Sequence, residues 1–217
     1  MGAMTATVDP AGLPARPLTV ADLEAMPDDG HRYELLDGVL IVSPAPGWSH
    51  QMVVGQLYLR LEEAGPPEVD VLTVPFAVRP QGRLPPAEQH TELRPDVLVA
   101  RHADFTERDL PRAPLLAVEV LSRSTRLIDL NLKRAAYERM GTPSFWLIDP
   151  RTVELWAYDL AGGGTYRLYA HATGEEAFEA QQPFPVSFNP AELLRRRSRR
   201  PPADPSSGPH SGPPGSL

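Results

Sequence analysis

The run "LLAVEVL" at residues 115–121 constrains the fold more than any other stretch of the chain. Both of its alternating faces are apolar, apart from Glu119. A strand apolar on both sides has to be covered on both sides, so it belongs in the interior of a sheet with layers above and below it. The exception is as informative as the rule. A carboxylate buried in such a strand is costly unless it is paired, protonated or bound to a metal. Glu119 therefore needs a partner.

The flanking pattern supplies the layers. "TVADLEAM" has Thr19 followed three residues later by Asp22, a helix-start signal. "RYELLDGVLIVS" reads as two short strands joined at Asp37-Gly38. In "SHQMVVGQLYLRLEEAG", Val53, Val54, Leu57 and Leu61 form one helical stripe that Ser49 can cap and Gly65 can end. "VDVLTVPFAV" and "RPDVLVA" read as strands on either side of a Pro/Gly-rich loop. "DLNLKRAAYERMG" reads as a helix with Asp129 near its start and Gly141 after its end, and "SFWLIDP", "TVELWAYDL" and "TYRLYA" as further strands. The sum is one α/β domain around a mixed sheet, spanning residues 18–194. Residues 1–17 read as a flexible Pro/Ala-rich segment. Residues 195–217 read as a basic stretch, "RRRSRR", followed by a Pro/Gly/Ser-rich disordered tail.

Composition narrows the chemistry. The chain of 217 residues has no cysteine, which excludes disulfides and thiolate metal sites. Carboxylates, histidines and carbonyls remain as ligands, and these suit hard cations such as Mg²⁺ or Mn²⁺. No apolar run approaches the roughly 20 residues that cross a membrane, and no signal peptide is visible, so a cytoplasmic protein is expected. The net charge of −7 argues against broad non-specific binding of nucleic acid, although it permits a local cationic groove.

A partner for Glu119 is available on the preceding strand. Pro95 cannot donate a ladder bond and belongs at a strand start or edge, which places Asp96 near a strand end. Adjacent strands lie about 4.8 Å apart. Two carboxylates at that separation repel unless a cation bridges them. A divalent ion held by Asp96, Glu119 and one backbone carbonyl, that of Val120, would account for the buried acid. A second partner is Lys133, the only lysine beside 20 arginines. It shares a helical face with Tyr137. Two readings stand. Lys133 can pair with Asp129 on a solvated face, the reading that the helical pattern alone favours. Or it can point at the strand carrying Glu119, where it would position a water or stabilise charge on phosphorus. A catalytic lysine makes no metal bond, so its removal is expected to leave the fold nearly intact. His50 reads by default as a solvent-facing first-turn residue, and Glu34 as an exposed strand residue.

The ordered set "RYELLDGVL", "SP", "H", "RPDVLV", "AVEVLSRST", "D…K…Y…G" and "FWLIDP" resembles the bacterial putative restriction endonuclease family, within the PD-(D/E)XK nuclease superfamily. The resemblance implies a restriction-endonuclease-like fold, a mixed sheet flanked by helices, and a divalent-metal phosphodiesterase centre acting on DNA. It matches the superfamily's Pro-Asp to Pro95-Asp96 and its acidic strand residue to Glu119. The superfamily lysine normally follows two residues after that acid, where this chain has Leu121. The resemblance implies that the lysine has moved to the next helix, as Lys133. It also implies supporting positions at Glu34, His50 and Tyr137, and a homodimer would suit cutting of both strands. Two other readings keep the same residues: a nuclease-fold binding or scaffold protein without turnover, and a different hydrolase using the carboxylates as an acid/base pair.

Overall fold

The computed structural model describes residues 15–81, 84–122 and 126–195. The flexible segment expected over 1–17 and the tail over 195–217 lie outside these residues, except for 15–17 and 195. In chain order the elements are α1 (Val20–Glu24), β1 (Arg32–Leu36), β2 (Val39–Ser43), α2 (Trp48–Ala64), β3 (Val69–Thr73), β4 (Ala77–Val78), β5 (Val97–Arg101), β6 (Asp109–Leu110) and β7 (Leu116–Val120). A π-helical turn (Ile128–Lys133) then runs into α3 (Arg134–Met140), followed by β8 (Ser144–Asp149), β9 (Glu154–Leu160), β10 (Tyr166–Thr173), β11 (Phe178–Ala180) and β12 (Val186–Phe188).

Six strands form one mixed sheet in the order β10-β9-β8-β7-β5-β3. Only β7 and β8 run parallel among these neighbours. The doubly apolar strand is β7, all five of its residues are buried, and it lies in the interior of the sheet as its pattern requires. Leu116, Val118 and Val120 pack on one face against the α2 stripe of Val53, Val54, Leu57 and Leu61. Ala117 and Leu121 pack on the other with Ala136, Tyr137, Phe145 and Leu147. By alternation Glu119 belongs to this second face, beneath α3.

Local signals set most of the boundaries. Thr19 caps α1 while the Asp22 carboxylate returns a bond to the Thr19 N–H at 2.8 Å, a reciprocal capping box. Asp37 and Gly38 turn the first hairpin with φ of 51° and 81°, and a Cβ on Gly38 would meet the Pro17 Cβ at 2.6 Å. Gly141 closes α3 at a φ of 80°. Ser49 does not cap α2. The helix begins at Trp48 with Gly47 as its N-cap, because the Gly47 carbonyl already accepts from the Gln51 N–H at 3.1 Å. The stretch "VDVLTVPFAV" is two strands rather than one. Pro75 has no N–H to give the ladder, so β3 stops at Thr73 and β4 pairs instead with β6. The hairpin β11–β12 has three-residue strands, too short for period-2 alternation to register. No helix among the described residues is long and apolar enough to cross a membrane.

Candidate active site

The sheet register brings the two acids together. In the β5–β7 ladder Val97 lies opposite Val118, and Leu98 opposite Ala117. One further step along the same antiparallel ladder places Asp96 opposite Glu119, on one face and at one end of the sheet. Both side chains are fully withdrawn from solvent, at 1% and 0% relative exposure.

Glu119 is gripped from above. The Lys133 ammonium donates to its two oxygens at 3.1 and 3.2 Å, and the Tyr137 hydroxyl donates to Oε1 at 3.1 Å. Lys133 also lies 2.9 Å from Glu34 Oε2 and 3.7 Å from Asp129 Oδ1. The other oxygen of Glu34 accepts from the Arg94 backbone N–H at 2.7 Å. Glu34 is thus a buried strand residue and not an exposed one. The Asp129–Lys133 pair exists, but it faces the sheet. The segment is inverted relative to an ordinary amphipathic helix: Leu127 and Leu132 are exposed, while Asp129 and Lys133 are buried. A π-helical turn carries this inversion, a device that often marks functional sites.

Asp96 is gripped from the side. Its Oδ1 accepts from Arg32 Nη1 at 2.7 Å, and its Oδ2 from the Val120 N–H at 2.8 Å and from His50 Nε2 at 3.1 Å. Val120 enters the site through its peptide N–H. His50 is buried at the first turn of α2, not solvent-facing, because Asp96 draws its ring inward. Arg32 ties the two halves together, with Nε 3.5 Å from Glu34 Oε2. Sequence reasoning missed Arg32 and gave Asp129 only a helix start or a solvated pair with Lys133. Neither carries a local signal: an arginine opening a hairpin strand and an aspartate near a helix start both look solvated.

Among the described residues, Lys133 and Arg32 are the cations that the four buried carboxylates Glu34, Asp96, Glu119 and Asp129 share. Burial pushes the Glu119 carboxyl well above its usual range. The Lys133 charge opposes this, while Asp129, Asp96 and Glu34 reinforce it. Burial would raise Asp96 as well, but hydrogen bonding and charge from His50, with the charges of Arg32 and Lys133, hold it at about 2. Burial works against the Lys133 ammonium, yet Glu119, Glu34 and Asp129 together keep its proton held more tightly than in free lysine.

The remaining bonding capacity fits a hard cation. Each carboxylate oxygen offers about two lone-pair sites. Among the described residues, Asp96 Oδ2 and Glu119 Oε1 each accept two bonds, whereas Asp96 Oδ1 and Glu119 Oε2 each accept one. Each acid therefore retains one open position. No group of three or more His, Cys, Asp or Glu side chains among the described residues forms a ready-made cage.

Two clefts of about 530 and 420 Å³ meet at Gly47, His50 and Ser122. Arg32 and Arg94 line one, and Arg126 and Arg151 line the other. A chain with a net charge of −7 thus carries arginine on both clefts, with His50, the partner of Asp96, where they meet.

No curated protein matches the chain. Among solved structures, the chain is similar to a putative nuclease belonging to DUF820 from Anabaena variabilis ATCC 29413, with a TM-score of 0.61, 16% sequence identity, and coverage of 82% of this chain and 98% of that one. The likeness extends to the fold, which is restriction-endonuclease-like. Residues 20–194 match the model of the Uma2 family, described as putative restriction endonuclease, and the chain belongs to that family.

Proposed function

We propose that the protein is a metal-dependent DNA endonuclease in which Asp96 and Glu119, with the Val120 carbonyl, hold Mg²⁺ or Mn²⁺. The observation that carries this reading is Lys133 Nζ within 3.2 Å of both Glu119 oxygens. The lysine absent from position 121 is supplied from the following helix. When bound, the ion would supply Lewis-acid stabilisation to an oxygen on phosphorus.

The chain's own residues do the rest. Lys133, held charged by three carboxylates, stabilises the negative charge that builds on the phosphoryl oxygens. Glu34 and Tyr137 fix the positions of Lys133 and Glu119. Arg32 orients Asp96 with its open position free. His50 is anchored by Asp96 and stands at the junction of the two clefts, where it meets the substrate. Water forms the new bond to phosphorus, the bond to the departing strand breaks, and that oxygen takes up a proton. Two copies, each cutting one strand, would make a double-strand break.

Purified protein incubated with supercoiled and with single-stranded DNA tests this reading, in Mg²⁺, in Mn²⁺ and with chelator. Nicking that needs metal and disappears in Asp96→Asn and Glu119→Gln is the expected result. Cleavage that survives the chelator would remove the metal from the mechanism. Metal binding without cleavage of any DNA would leave a nuclease fold that only binds.

A further inference from the structure

The larger cleft contains charged groups that the chemistry above does not use. β8 ends at Asp149, beside the end of β7 in the one parallel pair of the sheet. The Asp149 side chain is 3% exposed. Its Oδ2 pairs with Arg126 Nη1 and lies 3.7 Å from Arg151 Nη2, while its Oδ1 accepts from the Arg151 backbone N–H at 2.9 Å. One buried acid thus holds two arginines at the wall of the cleft. Their own side chains stay open to solvent, at 38% and 62% exposure. Two guanidiniums against one carboxylate leave a net positive charge in an otherwise acidic protein.

The start of α2 lines the same cleft. Gly47 has no side chain with which to cap this helix of 17 residues, so its first-turn N–H groups receive no side-chain cap. Gly47 and Ser49 line the cleft together with His50. The His50 side chain is 92% buried, and its Nδ1 has no hydrogen-bond partner among the described residues. Asp96 occupies the other ring nitrogen at 3.1 Å. A buried polar atom without a partner costs free energy unless a ligand completes it. Two guanidiniums, an uncapped helix start and an unsatisfied histidine nitrogen on one cleft together describe an anion site.

We infer that this cleft is a phosphate subsite, formed by Arg126, Arg151, His50 and the start of α2, which binds the backbone phosphate next to the one that is cut. The assignment of the phosphate to a nucleic-acid backbone rests on the nuclease reading; the anion site itself does not. Asp149 serves as the positioning residue, fixing the two arginines without touching the ligand. Because His50 borders both this cleft and the Asp96 side of the centre, a strand seated on the arginines is placed in register with the acids.

The test uses the full chain and two probes. Inorganic phosphate binding is followed by NMR of the His50 ring, and binding of a labelled DNA duplex is followed by anisotropy in metal-free buffer across a salt series. The main variant is Arg126→Gln with Arg151→Gln, which removes both charges and leaves Asp149 with amide donors. Arg151→Gln alone is the variant least able to disturb the fold, since that side chain is the more exposed of the two. The double variant is expected to lose phosphate binding and to weaken duplex binding about tenfold or more. Its plot of log affinity against log salt should flatten by roughly 0.7–0.9 per contact removed. Arg151→Gln alone should show about half of that change in slope. Loss of phosphate binding with unchanged duplex affinity would overturn the backbone assignment and leave a site for free or terminal phosphate. Wild-type protein that does not bind phosphate, with a duplex salt dependence that neither variant alters, would overturn the subsite. If no DNA binds or is cut under any condition, the nuclease reading fails, and the phosphate arm alone decides whether the anion site exists.

Discussion

Replacement of Lys133 separates a structural cation from a catalytic one. Sequence reasoning expects Lys133→Ala to leave the fold nearly intact. The structure reverses that expectation. The ammonium is 1% exposed and lies within 4 Å of Glu34, Glu119 and Asp129. Removing one partner of a buried ion pair typically costs about 3–5 kcal/mol, because the other charge is left without compensation. Here three carboxylates lose a partner at once. Glu119 already binds its proton more tightly than usual and would take one up, which holds the loss toward the lower end of that range. Against a total stability of about 5–15 kcal/mol, Lys133→Ala should fold but with a much lower urea midpoint at pH 7.5. The deficit should shrink toward pH 5, where proton uptake replaces the missing charge. Lys133→Arg keeps the charge but forces a larger planar group into a closed slot, at about 1–3 kcal/mol. Both variants should lose metal-dependent nicking by a factor on the order of 10² or more. The decisive protein is Lys133→Met with Glu34→Gln. It removes one charge of each sign, should regain stability relative to Lys133→Ala, and should remain inactive. Wild-type activity in that double variant, or urea midpoints for Lys133→Ala within error of wild type at pH 7.5, would refute the reasoning.

Three further outcomes follow from single contacts. Tyr137→Phe deletes the 3.1 Å bond to Glu119 Oε1 and should cost about 0.5–1.5 kcal/mol in denaturant melts, with nicking reduced but not abolished. Asp22→Asn should cost about 1 kcal/mol at pH 7 by weakening the α1 capping box. Hydrogen bonding from Arg16 and Thr19 holds the Asp22 carboxyl well below its ordinary range, so its contribution is present in full above about pH 4 and is lost as pH falls through the lowered value; the gap between variant and wild type should narrow steadily as thermal melts are taken below pH 4. Gly38→Ala places a Cβ 2.6 Å from Pro17 at a φ of 81° and should lower stability by about 1–3 kcal/mol, read by calorimetry, while metal-dependent nicking is unchanged below the new midpoint.

Much of the architecture was legible because it depends on near neighbours in sequence. The Thr19–Asp22 cap, the Asp37-Gly38 turn, the Val53–Leu61 stripe and the Gly141 stop are each decided within a few residues by hydrogen bonds and sterics. The two-sided apolar run at β7 required an interior strand, and its one acid required a partner. Pro95 located Asp96 near a strand start, so two members of the centre were within reach of pattern alone.

What the sequence by itself determined is therefore the set of elements, the burial of Glu119 and the need to neutralise it. Tertiary structure alone decided how that need is met. The ladder that sets Asp96 opposite Glu119 depends on pairing strands about twenty residues apart, and local periodicity carries no register between them. Glu34 and Arg32 reach the site only because the first hairpin folds over the sheet end, roughly sixty residues from Asp96 in sequence. Lys133 turns inward against its own amphipathic pattern, with Leu127 and Leu132 exposed in its place. That inversion is stable because three carboxylates, drawn from β1, β7 and the π-helical turn, converge on one ammonium. Such an arrangement of charge is a property of the assembled cluster, and apart from Glu119 its members bear no local mark of it.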